Sequence, residues 1–174
     1  RVDEGEKLVV VVSAVGKTTN SLISLAQEVS AEPSPRELDM LLATGEQMTS
    51  ALLAMALSDF GIPALSYNAF QLEMTTTGDF SNARIMDLNL NKLKRQLEMR
   101  SVIVVTGFQG ITPDGDLTTL GRGGSDTSAV AIAAKCGCPC EIYSDVAGVY
   151  TCDPNKRAGA RKLEYITFDE MLEL

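Results

Sequence analysis

Two stretches of the chain are β-branched and apolar without alternation: Lys7–Ser13 (K-L-V-V-V-V-S) and Ser101–Thr106 (S-V-I-V-V-T). Such runs suit strands covered by helices on both faces, as in a parallel sheet. The first ends at Ala14-Val15-Gly16, and a 3.6-residue period begins near Thr18–Asn20, with Leu22, Ile23, Leu25 and Ala26 on one face. Strand, glycine turn and helix start are half of a βαβ unit. Ala31–Pro35 reads as a surface loop, and Arg36–Phe60 as a helix interrupted or bent near Gly45. Its predicted apolar face is Leu41, Leu42, Leu52, Leu53, Met55 and Leu57. Pro63–Tyr67 and Phe70–Thr75 are expected as short strands, Ile85–Met99 as a charged amphipathic helix. Ser125–Cys136 is a small-residue helix suited to close packing on a sheet, and Glu141–Ser144 a further short strand. The predicted class is α/β, with helices covering a mostly parallel sheet.

Composition narrows the chemistry. At 174 residues a single domain is favoured, and 45% hydrophobic with 22% charged residues is ordinary for a folded protein. A net charge of −8 argues against tracking nucleic acid by bulk charge and against a polybasic membrane contact. No unbroken apolar run approaches the roughly 18–20 residues of a spanning helix. The absence of histidine removes Ser-His-Asp triads, Cys-His pairs and His-based zinc sites together. Cys136, Cys138 and Cys140 are spaced C-x-C-x-C, with Cys152 apart, which is not zinc-ligand spacing; reduced, semi-buried thiols in a cytosolic protein are expected, and no metal site.

Gly16-Lys17-Thr18 is not a phosphate-binding P-loop, because Val11 stands where the first glycine is needed. Gly121-Arg122-Gly123-Gly124 is not G-x-G-x-x-G, because Asp126 holds the sixth place. What remains are turns rich in glycine and hydroxyls at Ser13–Asn20, Thr44–Glu46, Thr106–Gly110 and Thr118–Thr127. In open α/β sheets ligands collect beyond the carboxyl ends of strands, where helix N-termini favour anions. Thr119–Asp126 is the richest such segment, with Ser125 as a candidate N-cap and Arg122 as a carboxylate-matching fork. A glycine-rich turn with a good cap and a surface arginine fits the same residues.

T-T-L-G-R-G-G-S-D-T-S-A (118–129) resembles the signature of aspartate kinases, within the amino acid kinase family. V-V-V-S-A-V-G-K-T-T-N (10–20), R-E-L-D-M-L-L-A-T-G-E-Q (36–47), G-F-Q-G (107–110) and Y-S-D-V-A-G-V-Y-T-C-D-P (143–154) extend the likeness along nearly the whole chain. The resemblance implies an αβα sandwich around a mostly parallel sheet. It implies phosphorylation of the side-chain carboxylate of L-aspartate by ATP with Mg²⁺, the first step towards lysine, threonine and methionine. It also implies a cytoplasmic homo-oligomer whose partners are L-aspartate and ATP, with no nucleic acid and no membrane.

Residue by residue, Ser13, Thr19, Glu46, Phe108, Arg122, Ser125 and Asp126 match positions lining the aspartate pocket, with Asp126, Arg122 and Ser13 as the catalytic set. Glu46 would pair with the substrate ammonium and Arg122 with a carboxylate, while Asp126 would orient a lysine or the amine rather than act as a base. Gly16, Lys17, Ser144, Asp145, Tyr150, Asp153 and Lys156 match the ATP side. The likeness departs at Val15, where Met is usual, and at Asn155, where Arg is usual and Lys156 or Arg157 is expected to substitute. The family's opening lysine-bearing K-[FY]-G-G-[TS]-S segment is absent, as are its regulatory ACT domains. Residues 1–174 are therefore expected to be a partial catalytic domain, incomplete at both ends and inactive alone. Kinases for glutamate or a nucleotide, and an inert binding fragment, are the alternatives.

Overall fold

The computed structural model describes residues 1–144, 148–152 and 156–167, which fall into two units, 1–140 and 141–174. In the first, strands β1 (Leu8–Val12), β2 (Ala64–Tyr67) and β5 (Val102–Thr106) form a parallel sheet with β5 between the others. Every residue of β5 is buried, as its unbroken apolar run requires.

Helices cover both faces. The odd-numbered residues Val9, Val11, Leu65, Tyr67, Ile103 and Val105 pack with Leu90, Leu93 and Leu97 of helix α4 (Leu90–Met99) and Ile132 of α5 (Gly124–Cys136). Side chains alternate along a strand, so the even-numbered set, Val102 and Val104 included, faces away from that cluster. On that opposite face lies α2 (Pro35–Asp59), preceded by α1 (Thr18–Val29).

The α2 helix runs unbroken through Thr44-Gly45-Glu46, so the expected turn there is a helix interior. Its buried stripe is Asp39, Leu42, Ala43, Gly45, Glu46 and Ser50, small and polar because the helix lies close against the sheet. Leu52 and Met55 of the predicted apolar face are exposed, and so is Leu25 of α1. At 25 residues α2 is long and apolar enough by composition to cross a membrane, yet it buries Asp39 and Glu46 against strands, as a core helix does.

Other elements differ from the pattern. Residues 70–75 are not a strand: Asn68 and Gln71 form a reciprocal capping box that starts the short helix α3 (Ala69–Leu72), leaving only β3 (Thr75–Thr76) extended. The helix expected from Ile85 begins at Leu90, where the Asn89 side chain accepts from the amides of Asn91 and Lys92. Residues Ile85–Asp87 instead form β4, antiparallel to β3. Strands β6 (Gln109–Ile111) and β7 (Leu117–Thr119) make a hairpin, giving a second sheet in the order β4-β3-β6-β7. Cys138 and Cys140 are exposed rather than semi-buried because they follow the last turn of α5, and Cys152 in the second unit is exposed too; Cys136, inside that turn, is half-buried, and burial raises its thiol pKa.

In the second unit, backbone bonds join Thr151 to Arg161 and Leu163 to Val149 around a Tyr150–Lys162 bridge. The strand expected at Glu141–Ser144 is not formed: residues 141–144 are irregular.

Candidate active site

The carboxyl ends of β1 and β5 lie side by side, with Val12 opposite Thr106, and the Gly107 amide donates to the Val12 carbonyl at 3.0 Å. Beyond them opens a cleft of about 600 Å³. The structure brings together there all seven residues singled out for the substrate pocket: Ser13, Thr19, Glu46, Phe108, Arg122, Ser125 and Asp126.

Each is delivered by a local device. Gly45 lets α2 approach the turn after β1, since a Cβ there would sit 2.9 Å from the Ala14 Cβ. That approach places Glu46 Oε1 to accept the Ala14 amide at 3.0 Å, and Thr49 Oγ1 to accept the Val15 amide at 3.1 Å. Glu46 is 3% exposed, and its second oxygen, Oε2, has no hydrogen-bond partner among the described residues. Burial pushes its carboxyl pKa up, and the Ala14 amide offsets this only in part.

Gly107 and Gly124 admit α5 to the end of β5. A Cβ on Gly107 would lie 2.8 Å from the Ser125 Cα, and one on Gly124 would lie 2.8 Å from the Phe108 ring. Phe108 itself has φ +69, a left-handed conformation costly for a side-chain-bearing residue. It is pinned from both sides: its amide donates to Ser128 Oγ at 3.1 Å, and its carbonyl accepts from the Leu120 amide at 2.8 Å. Ser125 and Asp126 occupy the first turn of α5, at the positive end of its dipole, and both line the cleft. Asp126 and Arg122 are exposed, and no described residue pairs with the Arg122 guanidinium. The cleft is therefore lined by both an unpartnered carboxylate oxygen and an unpartnered guanidinium, charges that suit a zwitterion.

A model of the amino acid kinase family matches residues 1–174. The chain belongs to the amino acid kinase family. It is 54% identical over 171 residues to an aspartokinase of Bacillus sp. strain MGA3 and 54% over 172 residues to aspartokinase 2 of Bacillus subtilis strain 168. In both cases 98% of this chain is covered but only 42% of the relative, so the chain spans less than half of the curated relatives' length. Among solved structures, aspartate kinase from Synechocystis superposes with a TM-score of 0.78 at 48% identity, covering 99% of this chain and 28% of that one. E. coli aspartokinase III, solved with aspartate and ADP, superposes with a TM-score of 0.71 at 28% identity, covering 84% and 34%.

Within this amino acid kinase chain, the residues matched to the nucleotide side fall in both units. Gly16, with φ +59, and Lys17 form the exposed turn before α1 and do not line the cleft. Ser144, Tyr150 and Lys156 belong to the second unit, where Tyr150 is half-buried at its bridge with Lys162. Asp145, Asp153 and Asn155 lie outside the described residues.

Sequence reasoning missed the wall residues Ile23, Leu38, Leu42 and Ser81 and the fully buried Asp39 behind Ser81, whereas Thr119 and Gly121 fall in the glycine-rich segment it singled out. Only the D-G dipeptide at Asp114-Gly115 signalled the hairpin that carries Thr119.

Proposed function

We propose that the full-length protein phosphorylates the side-chain carboxylate of L-aspartate at the expense of ATP, giving 4-phospho-L-aspartate and ADP. The carrying observation is the buried, unpartnered Oε2 of Glu46 in a cleft that the Arg122 guanidinium also lines. The ammonium of an amino acid supplies the missing donor, and the guanidinium receives a carboxylate bidentately. Ser13 and Thr19 donate hydroxyls, Phe108 and Ser125 shape the pocket, and Asp126 orients the amine. Identity with aspartokinases over 98% of the chain supports the same substrate.

The chemistry suits a site without histidine. The attacking carboxylate has a pKa of about 3.9 and is ionised at neutral pH, so no general base is required. One of its oxygens bonds to the γ-phosphorus, the bond from that phosphorus to the β,γ-bridging oxygen breaks, and ADP leaves with the electron pair. Transfer of this kind rests on positioning and charge neutralisation. Here Arg122 and the amides opening α5 are the positive groups beside the cleft. Gly16, Lys17, Ser144, Asp145, Tyr150, Asp153 and Lys156 are the proposed nucleotide contacts. Mg²⁺ is proposed to accompany the nucleotide phosphates, where one or two protein carboxylates suffice to hold it. Residues 1–174 are proposed as part of the catalytic domain of a cytoplasmic homo-oligomer.

The test traps acyl phosphate with hydroxylamine in the purified full-length protein, offering aspartate and glutamate in turn with ATP. Aspartate-dependent hydroxamate is expected; product from glutamate alone refutes the substrate assignment and leaves the family intact.

A further inference from the structure

The Asp39 carboxylate is completely buried, and no cation neutralises it among the described residues. It is instead saturated by four donors from two distant segments. Oδ2 accepts the backbone amides of Ser81 and Thr119, both at 2.8 Å. Oδ1 accepts the hydroxyls of the same two residues, at 3.1 and 2.8 Å. Ser81 stands in the left-handed region, φ +66, which a serine adopts only when its surroundings impose it. The Ala83 amide donates to the Thr119 carbonyl at 2.9 Å, closing the same junction.

This junction is the back of the cleft wall. Ser81 and Thr119 both line the cleft, and two residues beyond Thr119 comes Gly121. Gly121 has φ +76, and a Cβ there would lie 3.2 Å from the Ser81 carbonyl oxygen and 3.3 Å from Asn82 Oδ1. The turn that presents Arg122 is thus seated directly on the residue that Asp39 holds.

We propose that Asp39 is a positioning residue for the acid substrate: by binding Ser81 and Thr119 together it fixes the seat of the Gly121–Gly124 turn and so the place of Arg122. The proposal rests on the reading of this cleft as the acid-binding site. It does not require that the acid be aspartate.

The partition of donors defines the variants. Asp39→Asn can keep an oxygen for the two amides and set its NH₂ against the two hydroxyls, which rotate to accept. Asp39→Ala offers nothing to any of the four. In the full-length protein, hydrogen exchange is followed in peptides spanning 79–83 and 117–124, with 102–106 as internal reference. Loss of a charge-assisted bond corresponds to about 10- to 150-fold faster exchange. That acceleration is expected in Asp39→Ala at Ser81 and Thr119 with β5 unchanged, while Asp39→Asn stays near wild type. KM for the acid should rise by a similar factor in Asp39→Ala with KM for ATP unmoved, and Asp39→Asn should rescue it. Equal acceleration in all three peptides, or unchanged exchange at Ser81 and Thr119, overturns the proposal; so does an equal rise in both KM values. For an Asp39→Ala protein that does not fold, the decision falls on Asp39→Asn: wild-type exchange and KM support the proposal, and a loss in KM alone with exchange intact overturns it. If the acid proves not to be aspartate, the exchange result still decides, and only the substrate assignment fails.

Discussion

Replacing Glu46 by glutamine separates what burial costs this carboxylate from what a ligand gains from it. In the free protein the side chain is 3% exposed, one oxygen bonded to the Ala14 amide and the other unpartnered. Burial raises its pKa, so folding favours the protonated form. The stability linked to Glu46 is therefore complete below the pKa of an unfolded glutamate, about 4.3, and is lost as pH rises through the higher folded value. Glutamine keeps the acceptor for Ala14 and carries no charge. Glu46→Gln should thus melt at or above the wild-type temperature at pH 7, with the difference shrinking towards pH 4, as read by calorimetry. Binding should respond in the opposite sense. The amide NH₂ cannot pair with an ammonium, and losing one charge-assisted bond costs about 1.5–3 kcal/mol, roughly 10- to 150-fold in KM. Steady-state kinetics on the full-length protein should show that rise for aspartate while ATP saturation holds. An unchanged aspartate KM with a shifted ATP KM refutes the pocket, and a lower melting temperature at pH 7 refutes the account of burial.

Arg122→Lys should fail to restore kcat/KM for aspartate, because an ammonium cannot reproduce a two-pronged fork; near-normal kinetics would contradict the carboxylate clamp. Gly107→Ala should disturb the start of α5, since its Cβ would meet the Ser125 backbone at 2.8 Å. Overpacking of that kind costs about 1–3 kcal/mol, and an unaltered urea midpoint would refute the contact. Leu93→Ala empties a fully buried position between α4 and the sheet and should cost about 2–5 kcal/mol by the same assay, with KM unchanged and any loss of folded protein seen in Vmax alone.

The sheet and its covering helices were legible because burial on both faces leaves a mark in composition: a short β-branched run such as Val102–Thr106 suits a covered strand. Helix starts set by side-chain caps were harder. Asn68 with Gln71, and Asn89 alone, decide where α3 and α4 begin, yet each lies inside a segment whose apolar residues suit another period. The buried stripe of α2 misled for the opposite reason, since close packing selected Gly45, Ala43 and Ser50 there and left Leu52 and Met55 outside. For the cleft, resemblance named seven lining residues, and their glycine neighbours gain meaning only from the 2.8–2.9 Å approaches now visible. Asp39 was beyond reach of any local rule. An aspartate on a helix ordinarily faces water, and its partners lie 42 and 80 residues away.

Asp39 and Glu46 ride on one uninterrupted helix, two turns and about 10 Å apart along its axis. A rod of this kind does not stretch, so the floor of the cleft at Glu46 and the back of its wall at Asp39 keep a fixed spacing. Sliding or tilting α2 displaces both at once, and neither can be retuned alone. If the cleft binds an acid as proposed, one a methylene longer cannot be accommodated by moving Glu46 while the wall that Asp39 holds stays put. The cleft measures its ligand against a ruler, and changing the length it accepts requires altering the residues at the marks rather than shifting the ruler.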